Sequence, residues 1–363
     1  MMPSVFRSQF LLALLATTAA SAPSHLKPKC TASSEWPGWN GIKHAFVMSA
    51  TLRLTQSNPP AFIQILQLNE MGKGFDHTLT QPSPTNPLGN PGYPGYTSSN
   101  GPNWVDYLTV KYNASLLQTY NLAVGGATVD SALVKPYKPE VLSVKQQVQD
   151  VFLPTYVSSS SSSSPSQWTG GDSLFAFWIG INDVGNSYWQ DDTPTLNRQI
   201  FAVYADVVRR LYRDAGARHF LFLNVPPVDR SPLTVGQGAT AVEREAADIA
   251  AFNALTAALA ADLAAEGQDG GDKANVWTYD VHALFTEVLD RPAAYEATAG
   301  YANTTGFCAA YQNGTPNQDT LDPACGVPVN EYFWLNNLHP TYPVHDVVAE
   351  QVAAALAQGP NVC

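Results

Sequence analysis

A histidine followed by proline, two glycine turns rich in N–H donors, and a Gly-Asp-Ser triplet are the residues whose types suit acyl transfer. His339 lies in Phe333-Trp334-Leu335-Asn336-Asn337-Leu338-His339-Pro340-Thr341. Pro340 breaks any helix there, and a loop imidazole with a pKa near working pH can act as general base. In Gly180-Ile181-Asn182-Asp183, Asn182 offers an N–H that could stabilise an oxyanion. Gly125-Gly126-Ala127-Thr128 exposes backbone N–H groups. Each also has a plainer meaning: a strand-ending turn for Gly180 and Asn182, close strand–helix packing for Gly125 and Gly126, a structural imidazole for His339. His345 competes with His339 but reads as a helix-start residue, and His25, His44, His77, His219 and His282 have no comparable setting.

The elements that must hold these groups alternate. Short apolar runs at 45–48, 117–123, 173–179, 219–225 and 276–280 read as strands. Helical spacing covers 104–111, 196–215, 241–266 and 344–357, with Ile200, Val203, Val207 and Leu211 on one face of the second. This alternation predicts an α/β fold, a parallel sheet with helices on both faces. Chemistry in such sheets sits at the carboxyl ends of the strands. The turns at Gly125 and Gly180 each follow a strand, as that rule requires. Gly171-Asp172-Ser173 precedes one, which puts it at the amino end and disqualifies Ser173 as a nucleophile.

Gly-Gly-Ala-Thr, Gly-Ile-Asn-Asp and His-Pro-Thr, in this order, resemble blocks II, III and V of the SGNH (GDSL-type) hydrolases. Three longer stretches are similar to fungal acetyl esterases of carbohydrate esterase family 16. They are Gln81-Pro82-Ser83-Pro84-Thr85-Asn86-Pro87-Leu88-Gly89-Asn90 with Gly101-Pro102-Asn103-Trp104-Val105-Asp106-Tyr107-Leu108, then Phe177 to Asn186, then Phe333 to Thr341. The resemblance runs from Gly74 onward. It implies a three-layer flavodoxin-like SGNH hydrolase fold and ester hydrolysis through an acyl-serine, without metal or cofactor. It makes His339 the general base and gives oxyanion-hole roles to Asn182 and Gly125, with Gly126 the lesser candidate. The wider class has aspartate three residues before the histidine, where this chain has Asn336. A neutral amide can accept the imidazole N–H but cannot stabilise imidazolium by charge.

The resemblance also places a Gly-Asp-Ser directly after the first strand. The chain reads Met48-Ser49-Ala50-Thr51-Leu52 there, so the nucleophile is expected at Leu52, which cannot attack a carbonyl. Ser49 is a fallback that lies three residues early. The stretch 53–73 matches nothing in the family. A mis-assigned reading frame followed by retained intron is compatible with both departures: Ser49 to Leu52 can be written TCG-GCG-ACT-CTN, one choice of codons, which reads GGC-GAC-TCT, or Gly-Asp-Ser, from its third base. The other explanation is a diverged, inactive paralogue.

Trp104, Trp189 and Trp334 lie near the motifs and suit stacking on sugar rings; Trp178 reads as core. The expected partner is an acetylated carbohydrate or another small ester. A catalytically silent carbohydrate-binding protein is the alternative. A lipase is a third reading, for which no long apolar lid is evident.

Composition sets the outer bounds. The chain has 363 residues, 45% hydrophobic and 13% charged, with net charge −11. That charge gives no electrostatic help toward nucleic acid or anionic membrane. Residues 1–22 read as a signal peptide, with Arg7 before a short apolar run that ends in Ala20-Ser21-Ala22. No other apolar run reads as long enough to cross a membrane, and 23–363 reads as one domain. The four cysteines suit a secreted, extracellular protein. Three pairings are open; the expected one joins Cys308 to Cys325 and Cys30 to Cys363. Asn113, Asn303 and Asn313 open glycosylation sequons that are equally readable as plain surface loops. The serine run 158–164 reads as a surface loop.

Overall fold

Side chains that alternate between two apolar layers build the sheet. A computed structural model describes residues 30–49, 76–157, 168–266 and 273–363. The signal-like run 1–22, position 52, the stretch 53–73 and the serine run 158–164 lie outside the described residues. Five strands are described: β1 (His44–Ser49), β2 (Gln118–Asn121), β3 (Ser173–Trp178), β4 (His219–Leu223) and β5 (Asn275–Tyr279). They form one parallel sheet in the order β2-β1-β3-β4-β5. Phe46, Met48, Tyr120, Phe175, Phe177, Phe220 and Phe222 face one layer. Ala45, Val47, Leu174, Ala176, Leu221, Leu223 and Trp277 face the other. Successive strand residues point to opposite sides, so nearly unbroken apolar strands fill both layers at once.

Helices α1 (Trp104–Val110), α4 (Val281–Asp290) and α5 (Tyr342–Gln358) cover the second face. Helices α2 (Thr193–Arg213) and α3 (Ala239–Ala265) cover the first, together with the helical segment Val144–Gln146 and its π-wound continuation Gln147–Val157. The result is the expected three-layer α/β architecture. Phe46 stacks on Tyr120 at 4.8 Å and on Phe175 at 5.2 Å, so an aromatic ladder runs across three strands. Truncating a buried phenylalanine such as Phe175 to alanine costs roughly 3–5 kcal/mol.

Several boundaries move for local reasons. The strand expected at 117–123 is only Gln118–Asn121, because the chain leaves the sheet for the Gly125 turn. Helix α2 begins at Thr193, where the Asp192 side chain accepts from Thr195 N and Pro194 occupies the first turn. Helix α4, not foreseen, starts where Asp280 accepts from Ala283 N. Helix α3 corrects the reading that only the N-terminal run is apolar: it is long and apolar enough to cross a membrane by length and composition. Its Ile249, Phe252, Leu259 and Leu263 are nonetheless buried in the first layer. The disulfides pair Cys30 with Cys363 and Cys308 with Cys325, as expected.

Candidate active site

The loop that carries His339 is folded onto itself before it meets the sheet. Leu335 N donates to His339 O at 2.8 Å, Thr341 N to Phe333 O at 2.7 Å, and the Thr341 hydroxyl to Tyr332 O at 2.6 Å. Beneath it lies a small core of Tyr311, Cys325, Val329, Tyr332 and Leu335, adjoining the Cys308–Cys325 bridge. Asn336 organises the turn. Its Oδ1 accepts from Leu338 N at 3.0 Å and from His339 N at 2.8 Å, and lies 3.1 Å from His339 Nδ1. Two backbone donors fix that atom as the amide oxygen. The imidazole must therefore carry its proton on Nδ1 and present a bare Nε2 lone pair, the form a general base needs. Among the described residues, His339 Nε2 is buried and has no hydrogen-bond partner. Burial pushes the His339 pKa down to about 3, and the neighbouring His345 adds to the shift.

His339 opens onto a cavity of about 860 Å³ including its mouth, at the carboxyl edge of the sheet. Ser49, Asn121 and Trp178, at the ends of β1, β2 and β3, help to line it. Trp104 and Trp334 are wall residues of this cavity, with Trp334 Nε1 donating to Thr304 O at 3.1 Å. Two expectations change here. Trp178 is half-buried and lines the cavity instead of being plain core, since its ring stands where β3 ends. His345 does lie in the first turn of α5, but that turn aims it into the same cavity as His339. Trp189 is not part of the site. It is 54% exposed, packs edge-on against Tyr188 and does not line the cavity.

The two donor turns flank the end of β1. Val124 N donates to Ser49 O at 3.3 Å, which places Gly125 just beyond that strand. Asn182 lies in the short helix Ile181–Gly185, and its Nδ2 donates to Ala127 O at 3.0 Å. Neither Gly125 nor Asn182 lines the described cavity itself. Gly126 answers to packing: its φ is +84°, and an added Cβ would fall 2.4 Å from the Tyr137 ring. Asp183 fastens the two turns together, because its carboxylate accepts Val129 N at 3.0 Å from full burial. That burial raises its pKa to about 7. The Ser49 hydroxyl donates to Trp178 O at 2.6 Å, so its proton is committed to the backbone.

Sequence reasoning missed the loop Thr97–Ser98–Ser99, the Pro226–Pro227 turn after β4, and Phe285 of α4, all of which line the cavity. A strand-ending diproline was the available signal for the second. The other two depend on long-range packing. Ser99 O accepts Tyr342 N at 2.8 Å, and the Asn100 side chain accepts Thr315 N at 2.7 Å, so the loop is tied to α5 and to the disulfide loop. No group of three or more metal-ligating side chains occurs among the described residues. Of the sequons, Asn313 is exposed, whereas Asn113 and Asn303 are half-buried: Asn113 donates to Thr109 O at the end of α1, and Asn303 accepts from Thr305 N and Gly306 N of its own loop.

Residues 69–352 match the model of a family described as GDSL-like Lipase/Acylhydrolase. The match begins beyond β1 and beyond position 52. An acetylesterase from Thermothelomyces thermophilus is 37% identical over 285 residues, which are 78% of this chain and 83% of that protein. A catalytic mutant of an acetylxylan esterase from Geobacillus stearothermophilus is similar in structure, with TM-score 0.41 and 13% identity over 87% of this chain and 94% of that one. An alpha/beta hydrolase enzyme from the metagenome of Lake Arreo, Spain, has TM-score 0.40 and 15% identity over 88% and 99% of the two chains.

Proposed function

The chain belongs to the GDSL-like lipase/acylhydrolase family, which makes it a carboxylic ester hydrolase, and we propose that its ester is a small O-acetyl group on a carbohydrate. The observation that carries this reading is His339: proton fixed on Nδ1, bare Nε2, in an aromatic-walled cavity at the carboxyl edge. The acetylesterase relative supports the acetyl group, and the aromatic walls support a sugar.

A serine at position 52 would give its proton to His339 Nε2 and attack the acetyl carbonyl. The oxyanion would take N–H groups from Gly125, Asn182 and the serine itself. One Asn182 amide hydrogen is held by Ala127 O, which leaves the second for this use. His339 would then return the proton to the departing sugar hydroxyl, and water would release acetate from the acyl-serine. Asn336 orients the base and supplies no charge. Secretion is part of the proposal: two disulfides and the signal-like N-terminus support it, and exposed Asn313 is the sequon best placed for a glycan.

The residue at position 52 is leucine, and we assign this to a mis-read exon boundary. The family match that starts only at residue 69 supports the assignment. Sequencing the transcript is expected to show Gly-Asp-Ser in place of Ala50-Thr51-Leu52 and a shortened 53–73. A chain so repaired is expected to release acetate from acetylated oligosaccharides. A folded repaired chain that hydrolyses no acetyl ester would overturn the mechanism. A transcript that confirms Leu52 favours the second reading, a silent binder of acetylated carbohydrate.

A further inference from the structure

His345 faces the cavity without serving the base. It sits in the first turn of α5, with its ring edge-on to Trp178 at 6.3 Å. Its Nδ1 is buried and has no hydrogen-bond partner among the described residues. Burial holds the ring neutral, with the pKa pushed down to about 4. A buried imidazole nitrogen without a partner is a standing cost to the fold. The nearby walls Trp104, Trp178, Phe285, Trp334 and Leu338 are largely apolar, and the indole N–H groups of Trp178 and Trp334 already donate to Asn224 O and Thr304 O. His345 as a whole is only half-buried and lines the cavity, so a ligand there can meet the accessible edge of its ring. A neutral imidazole offers one donor and one acceptor, which is the complement of an alcohol. Flanking indole and phenyl faces suit the C–H face of a sugar ring. His345 and His339 line the same cavity, so one small molecule bound there can meet both rings.

We propose that His345 is a specificity-determining residue that hydrogen-bonds a free hydroxyl of the sugar whose acetyl group is presented to His339. This rests on the acetyl-carbohydrate reading above. It means that the site selects partly acetylated sugars over fully acetylated ones, because full acetylation leaves no hydroxyl for His345 to read.

The chain repaired to Gly-Asp at 50–51 with Leu52→Ala, and trimmed across 53–73, makes the test a binding measurement free of turnover and serves as the parent. Monoacetylated and peracetylated xylobiose are titrated by calorimetry into the parent, His345→Phe and His345→Gln, and Tm is recorded for each. The parent is expected to prefer the monoacetylated sugar. His345→Phe is expected to bind it about tenfold more weakly, a loss of one hydrogen bond, to narrow the preference, and to raise Tm because an unpartnered nitrogen has gone. His345→Gln, which keeps a donor and an acceptor, is expected to retain part of the preference. A His345→Phe chain that binds both sugars like the parent overturns the inference alone. So does one that has lower Tm and weakens both sugars equally, which would mark a structural histidine. A parent that binds neither sugar overturns the substrate reading itself.

Discussion

The two edges of the sheet carry the same kinds of residue in opposite states. At the amino edge stand Gly171, Asp172, Ser173 and His219. There the Ser173 hydroxyl donates to Asp172 Oδ1 at 3.1 Å. His219 has Gly171 O at 3.2 Å from Nε2, the Asn275 amide at 3.2 Å from Nδ1, and Trp36 edge-on at 5.0 Å. Every polar atom of that imidazole is answered from within the fold. At the carboxyl edge, His339 has one nitrogen answered by Asn336 and the other bare, and His345 is bare at Nδ1. Both edges bury their histidines and lower their pKa values. What separates His219 from His339 and His345 is unspent hydrogen-bonding capacity; His44, at the start of β1, is also bare at Nδ1, so an unpaired nitrogen points to a ligand only where its ring adjoins the cavity, as His339 and His345 do.

The contrast can be attacked from its largest consequence downward, with the chain repaired to Gly-Asp-Ser at 50–52 and trimmed across 53–73. His339→Ala is expected to lower kcat for acetate release by on the order of 10⁶, as loss of the base does in a worked serine hydrolase. Ser173→Ala, assayed beside it as the control from the other edge, is expected to change kcat less than twofold. A large loss there would make the amino edge catalytic and end the comparison.

His219→Ala is expected to cost about 2–3 kcal/mol in denaturant unfolding, since it removes the hydrogen bonds to Gly171 O and the Asn275 amide and empties a buried site beside Trp36. Activity per folded molecule should hold. Stability equal to that of the parent would mean the amino-edge histidine is not a satisfied structural group.

Asn336→Asp is expected to have the smallest effect, and it sharpens the carboxyl edge. A histidine held below its ordinary value of 6.5 stays a neutral base as pH falls, so the acid limb of kcat/KM should lie well below pH 6.5. A carboxylate against Nδ1–H favours imidazolium, which moves that limb upward by about 1–3 pH units. It should also raise kcat about tenfold, equivalent to ~1.4 kcal/mol of transition-state stabilisation. A pH–rate profile that does not move would show that Asn336 is not what orients His339.

Much of the carboxyl edge was legible from residues. Strand-then-glycine order located Gly125 and Asn182, and strand order alone rejected Gly171-Asp172-Ser173, because both depend on chain direction. His345, Trp178 and Trp189 were misjudged because their roles depend on rotation. Whether a residue in the first turn of a helix faces core, cavity or solvent is set by how that helix docks, and α5 is docked by Tyr342 N on Ser99 O, a bond across most of the chain. The helical segment 144–157 went unread because Pro154 and its π winding hide the usual period.

One covalent feature reaches beyond the site. Cys30 bonds Cys363 across a separation of 333 residues, so everything between them is a closed ring. A single protease cut inside a ring opens it and leaves one molecule. A cut in the serine run 158–164 should therefore leave a single band on a denaturing gel until a thiol reductant is added, when two fragments part. For a chain proposed to be secreted, this topology turns a nick that would sever a linear protein into one after which the two pieces stay joined.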